Sequence, residues 1–291
     1  MIEGLIPLKA LKAALRRCKS AALAATLVLG LSTLAPKPAE ALTIVIDFVP
    51  SLTTDIFGVS SVNESFASWG FTGLDVAGVR SATLAAVMQD YLGYPSVGAN
   101  LSSPLPNGKE LNINFTVSTG LTGAGNGDTE WYYMAVGDAQ PNQGFLGQAC
   151  LGCVRNSAGV STSANGSIVG SILTDSIAGL LSLAPTDAMR INLLVGTVAH
   201  EIGHTLTLVH PSSALANPGA SSYSIMATGA APTSMPSAER VKDRAFAYTE
   251  FNTLIQTVGL RDVSPVPEPT PALLLALGVV SLVLRMRAVR I

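Results

Sequence analysis

All three histidines of this 291-residue chain lie within eleven positions, from His200 to His210. His200 and His204 are four residues apart, and on an α-helix that spacing places two side chains on one face, about 40° apart. Two imidazoles arranged in this way can bind one zinc ion, but a catalytic zinc needs three protein ligands and an open position. On a continuous helix, His210 would point about 280° away from His200. The chain must therefore turn back after His204 if the third imidazole is to reach the same ion.

Glu201 follows the first of these histidines directly. A rotation of about 100° around the helix places its carboxylate beside a metal ion rather than on it. There it could accept a proton from a water molecule that the metal activates. The sequence thus predicts a zinc site with His200, His204 and His210 as ligands and Glu201 as general base. An alternative retains the first two histidines and takes the third ligand from a downstream acid such as Glu239.

The segments HEIGHTLTLVH, residues 200–210, and SIMATG, residues 224–229, resemble the zinc motif and the methionine turn of the metzincin metalloproteases. The resemblance implies that Met226 lies beneath the metal. It also implies a zincin-like α+β or α/β domain with a twisted mixed β-sheet, an active-site helix and a C-terminal helix. Zinc as the cofactor and a protein or peptide substrate follow from the same resemblance.

Two positions differ from the metzincin pattern. Thr207 occupies the place of the glycine at which the family's helix stops, and a β-branched residue in such a conformation costs about 1–3 kcal/mol. Metal coordination contributes more than this, so we still expect the bend. Thr228 occupies the place where some subfamilies carry a tyrosine that reaches the zinc, so no further ligand of that kind is expected.

Residues 1–41 have the three parts of a secretory signal peptide. Basic residues lie between Lys9 and Lys19, an uncharged run extends from Ser20 to Pro36, and Ala39-Glu40-Ala41 forms a small-x-small cleavage site. A strand is predicted immediately afterwards, which leaves no room for a propeptide. An uncleaved membrane anchor is the alternative, and it would also place the rest of the chain outside the cell.

Residues 265–291 resemble the PEP-CTERM sorting signal of envelope-rich Gram-negative bacteria. Val266-Pro267-Glu268-Pro269 precedes an uncharged run that ends at Leu284, and three arginines follow at positions 285, 287 and 290. The resemblance implies an exosortase-like enzyme as a partner, contact of this segment with the membrane before processing, and delivery to the cell envelope, surface or extracellular matrix. The alternative is an ordinary tail anchor with cytoplasmic arginines.

Residues 42–264 are long enough for one catalytic domain. They carry 8 Lys and Arg residues against 16 Asp and Glu residues. This acidic body lacks the basic patch that nucleic-acid binding requires, so a nucleic-acid partner is excluded. Cys150 and Cys153 predict a small disulfide loop in an oxidising compartment, with a redox centre or a zinc knuckle as alternatives.

Hydrophobic periodicity predicts the main elements of this domain. The expected strands cover residues 42–48, 111–118 and 131–137, and residues 150–156 are a candidate edge strand. The expected helices cover residues 79–94, the segment from Ala188 through the first two histidines, and residues 237–258.

These features predict an exported, zinc-dependent metalloendopeptidase, a hydrolase that cleaves peptide bonds. The alternative is a non-catalytic surface or matrix protein that retains a zincin fold, because a C-terminal sorting signal does not by itself indicate an enzyme. The two differ in whether the purified protein hydrolyses a peptide bond.

Overall fold

The computed structural model describes residues 41–93, 105–106, 108–122, 130–141 and 143–263. The predicted signal peptide, apart from Ala41, and the predicted sorting segment lie outside these residues and remain predictions. Within the described part of the chain, none of the helices is both long and apolar enough to cross a membrane.

The described chain folds as a mixed β-sheet with helices packed against it. The described residues contain nine strands and four α-helices. The strands are β1 (Leu42–Phe48), β2 (Thr53–Thr54), β3 (Ser60–Val62), β4 (Lys109–Leu111), β5 (Ile113–Ser118), β6 (Trp131–Gln140), β7 (Gly147–Ala149), β8 (Ile168–Leu173) and β9 (Leu260–Asp262). The helices are α1 (Val76–Leu92), α2 (Thr174–Ala178), α3 (Asp187–Thr205) and α4 (Tyr248–Val258).

Strand β1 lies at the centre of the sheet, parallel to β5 on one side and to β6 on the other. β8 continues the parallel sheet beyond β6, and the short strand β7 pairs with β8 in the antiparallel direction. β2 and β3 extend from the far end of β6, while β4 and β9 form a separate two-stranded ribbon. Every residue of β1 is buried, as expected for a parallel strand covered on both faces.

Three predicted strands are present. β1 has the predicted bounds, and β6 continues three residues beyond the predicted end at Gly137. The predicted strand 111–118 is divided into β4 and β5, because Leu111 pairs with β9 whereas Ile113 pairs with β1. These segments are rich in the β-branched and aromatic residues that suit a buried pleated surface.

Helix α1 begins at Val76, three residues before the predicted start, because the Asp75 side chain caps it by accepting from the Gly78 N–H at 2.7 Å. Its buried face is formed by Val79, Thr83, Val87 and Tyr91. Met88, which the sequence pattern assigns to the apolar face, is 37% exposed. The Tyr91 hydroxyl donates to the carbonyl of Ala199 at 2.8 Å and thereby joins α1 to α3.

The predicted final helix from Ser237 to Val258 is wrong over its first half. A 3-10 turn covers Ser237–Glu239, and the α-helix begins only at Tyr248. The intervening backbone pairs elsewhere, since the carbonyls of Asp243 and Ala245 accept the N–H groups of Ser221 and Ile225. The helix starts where the Glu250 carboxylate accepts the N–H of Ala247.

The candidate edge strand at residues 150–156 is also wrong. These residues form turns, and the edge strand is β7, immediately before them. Cys150 and Cys153 are joined by a disulfide, with their Cα atoms 5.6 Å apart. The chain leaves β8 within this disulfide loop.

Candidate metal centre

Helix α3 positions the first two histidines. Thr186 caps it by accepting from the Met189 N–H, and its apolar face is buried in the core. That face consists of the predicted residues Ile191, Leu194, Val195, Val198 and Ile202. His200 and His204 lie one turn apart near the C-terminal end, and their Nε2 atoms are 3.1 Å apart.

The helix ends at Thr205, and Thr207 adopts the left-handed conformation with φ 74°. The Leu208 N–H donates to the carbonyl of Gly203, and the Thr207 N–H donates to the carbonyl of His204, both at 3.0 Å. These two bonds define a Schellman motif, in which glycine usually occupies the left-handed position. The bend predicted between His204 and His210 is therefore present, with a threonine at its centre.

The turn brings His210 back to the other two histidines. Its Nε2 atom lies 3.0 Å from the Nε2 atoms of both His200 and His204. The remaining ring nitrogens of the helical pair face backbone carbonyls: His200 Nδ1 lies 2.9 Å from Ile225 O, and His204 Nδ1 lies 2.7 Å from Leu208 O. Each Nδ1 therefore carries the proton, and each Nε2 directs a lone pair into the centre of the triangle.

The three imidazoles are neutral at neutral pH. Burial holds the pKa of His200 well below its usual value, and the repulsion that a protonated His200 would meet from a protonated His204 lowers this pKa further. Burial also lowers the pKa of His204 and of His210. Neutral imidazole is the form that ligates metal, so the site does not need to lose protons before it binds an ion.

Glu201 is buried beside the triangle at 6% exposure, and burial raises the pKa of its carboxyl to about 8. Strand β7 passes directly over it. A Cβ atom added to Gly147 would lie 2.8 Å from Glu201 Cγ and 2.9 Å from its Oε1. A side chain at this position would require the Glu201 carboxyl to move, and the sequence alone does not indicate this role.

Met226 lies in a tight turn in which the Ala227 N–H donates to the Ser224 carbonyl at 3.1 Å. Its side chain is fully buried beneath α3. The side chains of Met226 and Thr228 contain neither a nitrogen nor a carboxylate with which to join the histidines at a metal ion. Thr228 lines the cavity above the histidines. Met226 therefore acts through packing.

The carbonyl of Ile225, next to this methionine, connects the histidines to the core. It faces His200 Nδ1 and also accepts from Nη1 of the fully buried Arg244 at 3.2 Å. A second donor on one carbonyl fixes its direction and hence the orientation of the His200 ring. The sequence analysis missed Arg244, because its partner is a backbone group nineteen residues away.

The disulfide loop closes the C-terminal end of α3. The Gly152 N–H donates to the carbonyl of His204 at 2.8 Å, and the Val154 N–H donates to the carbonyl of Thr205 at 3.2 Å. Helix ends leave carbonyls without intrahelical partners, and here the loop supplies them. The disulfide thus supports the helix end that carries the second histidine.

A cavity of about 450 Å³ opens over the triangle. Residues 144–149 form one wall and residues 227–230 form the other, while the three histidines and Glu201 line the floor. Arg240 also lines this cavity, although no sequence motif pointed to it. Glu239, the alternative third ligand, instead accepts from Ser221 Oγ and Lys242 Nζ.

The chain matches the family described as metallo-peptidase family M12B, reprolysin-like, over residues 106–264. The match covers more than half of the chain, which therefore belongs to this metallopeptidase family. No curated protein matches it. Among solved structures, archaemetzincin from Methanopyrus kandleri is similar over 77% of this chain and 98% of its own, with 12% identity and a TM-score of 0.38.

The donor set fits the metal that such a family implies. Within the described residues, the three histidines form the group of His, Cys, Asp and Glu side chains able to hold an ion, with ligand atoms within 4.8 Å of one another. The three Nε2 atoms lie 3.0–3.1 Å from one another, and the lone pairs of His200 and His204 both point into the space between them, where a cation would be held. An all-nitrogen set of three suits zinc with an open position. A cation would also oppose the burial that keeps Glu201 protonated.

Proposed function

We propose that this protein is an exported zinc-dependent metalloendopeptidase that hydrolyses peptide bonds. The observation that carries the proposal is the convergence of three neutral imidazoles with the carboxyl of Glu201 on the floor of one open cavity. Membership of a metallopeptidase family supports the same conclusion.

His200, His204 and His210 would hold the zinc, and the carbonyls of Ile225 and Leu208 orient the first two rings. When bound, zinc supplies a Lewis acid that polarises a carbonyl and makes a water molecule more acidic. Glu201 accepts the proton from the attacking water and then transfers it to the leaving amine. Its burial beneath β7 keeps the carboxylate in one orientation and away from bulk solvent.

Strand β7 offers a binding edge for an extended substrate. Among the described strands it pairs only with β8, and its residues line the cavity above Glu201. An extended peptide can add to such an edge through main-chain hydrogen bonds, which recognise a polypeptide irrespective of its side chains. This arrangement favours a protein or peptide substrate over a small molecule.

Hydrolysis of casein by the purified protein tests the proposal. We expect cleavage that a chelator stops and added zinc restores. Glu201→Gln should retain zinc and lose hydrolysis, whereas His200→Ala and His204→Ala should lose both, and His210→Ala should weaken zinc binding. A folded, zinc-loaded protein that cleaves no peptide bond would instead indicate the non-catalytic surface or matrix protein.

We also propose that residues 1–41 direct export and that residues 265–291 are removed by an exosortase-like enzyme after membrane contact. The Cys150–Cys153 disulfide supports an oxidising compartment outside the cytosol. Mass spectrometry of the mature protein from its native cells should find an N-terminus at about residue 42. A mature chain that still carries both ends would contradict this proposal.

A further inference from the structure

Arg240 lies in the wall of the cavity that contains the three histidines and Glu201. Its guanidinium packs against the wall formed by residues 227–230, since a Cβ atom added to Gly229 would lie 3.0 Å from Arg240 Nη2. The glycine at position 229 leaves the space that the guanidinium requires. Arg240 thus shares the cavity with the hydrolytic groups although it lies thirty-five residues beyond the end of α3 in sequence.

No hydrogen bond or ion pair within the described residues satisfies the Arg240 side chain. The neighbouring cations differ from it in this respect. Lys242 pairs with Glu239 at 2.6 Å, and Arg244 donates to the backbone carbonyls of Ser224 and Ile225. A guanidinium carries five N–H donors and remains charged, so a partly buried one without a partner is costly. Burial accordingly lowers the pKa of Arg240.

Glu201 is the acidic group in the same cavity, but it does not occupy these donors. Its carboxyl group packs against Gly147 on the other wall. The two side chains influence each other's pKa, but no ion pair joins them among the described residues. The guanidinium therefore remains available to a molecule that enters the cavity.

We propose that Arg240 determines the specificity of the proposed peptidase by binding a carboxylate of the substrate. The inference rests on the proposed function. A planar guanidinium forms two parallel hydrogen bonds with a carboxylate. This paired donor geometry distinguishes a carboxylate from a neutral group. Two sources present this chemistry at the cleavage site: the side chain of Asp or Glu, and the free C-terminal carboxylate of a short peptide.

Three matched peptides separate the two sources. The first has an amidated C-terminus and no acidic side chain, the second has an amidated C-terminus and one glutamate next to the cleaved bond, and the third has no acidic side chain but a free C-terminus. We expect the zinc-loaded full-length protein to cleave the second or the third about ten- to hundredfold faster, in kcat/KM, than the first.

Arg240→Ala should remove this preference, and Arg240→Glu should reverse it toward a peptide with lysine at the same position. Arg240→Lys keeps the positive charge but cannot form the two parallel hydrogen bonds of a guanidinium, so this variant should retain only part of the preference. Lys242→Ala is the matched control, because it removes a cation two residues away that already has a partner outside the cavity. Its peptide preference should equal that of the unchanged protein.

Binding of the same labelled peptides to zinc-loaded Glu201→Gln protein, followed by fluorescence polarisation, provides a readout independent of turnover. The carboxylate-bearing peptides should bind more tightly, and adding Arg240→Ala should abolish the difference. Equal binding of all three peptides, or a preference that persists in folded Arg240→Ala protein, overturns the inference. Absence of hydrolysis of every peptide and of casein would count against the proposed function, while the binding comparison would still decide the role of Arg240.

Discussion

The side chain of Met226 fills the space directly beneath Gly203, where a Cβ atom added to the glycine would lie 2.5 Å from the methionine sulfur. Gly203 belongs to the last turn of α3 and directly precedes His204. A side chain at position 203 would force the methionine side chain to move. This contact fixes the distance between the core and the turn of α3 that carries the two histidines.

Changing Met226 to alanine should therefore lower stability and weaken metal binding together. Removing a fully buried methionine side chain costs about 2–5 kcal/mol, and the cavity lets the helix end shift. Met226→Leu, which nearly conserves volume, should cost less than about 1.5 kcal/mol. Urea denaturation and zinc titration measure both effects, and equal behaviour of the two variants would show that the contact does not support the site.

Thr207 should be replaceable by glycine with a gain in stability. A β-branched residue at φ 74° is strained by about 1–3 kcal/mol, and glycine removes the strain at a smaller cost in chain entropy. We expect a net gain of about 1 kcal/mol in the free energy of unfolding and unchanged zinc affinity. Thr205→Gly is the control: this buried threonine is helical, so the same replacement there should destabilise the protein. A loss at Thr207 would mean that its contacts outweigh the strain.

Opening the Cys150–Cys153 disulfide should weaken the metal site, although neither cysteine faces the cavity. The loop it closes donates to the carbonyls of His204 and Thr205. The double substitution of both cysteines by serine should cost about 2 kcal/mol of stability and up to about tenfold in zinc affinity. A non-chelating reductant should have the same effect on the unchanged protein and no effect on the double variant. Unaltered zinc affinity would assign the loop a purely local role.

Stability should fall as pH rises because of Glu250. Burial raises the pKa of its carboxyl from 4.5 to about 7. The folded state therefore holds a proton that the unfolded state has already released, so the group's stabilising contribution is complete below about pH 4.5 and is lost up to about pH 7. The loss is about 3 kcal/mol.

Urea denaturation between pH 4 and pH 8 tests this, with Glu250→Gln as the comparison. The variant cannot ionise, so the difference in unfolding free energy between the two proteins should change with pH in that window. Ala247 and Ser224 donate to Glu250, and an accepting amide oxygen can retain one of these bonds. A constant difference across the range would contradict the raised pKa.

The local pattern of the chain determined much of this structure. The strand at residues 42–48 and the helix carrying His200 and His204 follow from runs whose periodicity matches one conformation. The bend after His204 follows from helix geometry once three imidazoles are required to meet. Such features depend on residues close in sequence, so the sequence alone contains the information.

The errors share one physical cause. The stretch at residues 240–247 has helical composition, yet its carbonyls pair with the chain before Met226. Met88 lies on the apolar stripe of α1 but faces solvent, because the rotation of that helix is set by the contact of Tyr91 with Ala199. In both cases a partner distant in sequence outweighed the local preference.

The sequence by itself determined which residues could form a metal centre, because the spacing of the histidines on one helix and the need to return the third are local geometry. Only the tertiary structure decided what surrounds that centre. Gly147 lies over Glu201, Arg244 holds the carbonyl that faces His200, and Arg240 enters the cavity with no hydrogen-bond partner among the described residues. Each of these relationships joins segments tens of residues apart. They exist only once the sheet, the helices and the disulfide loop have packed together.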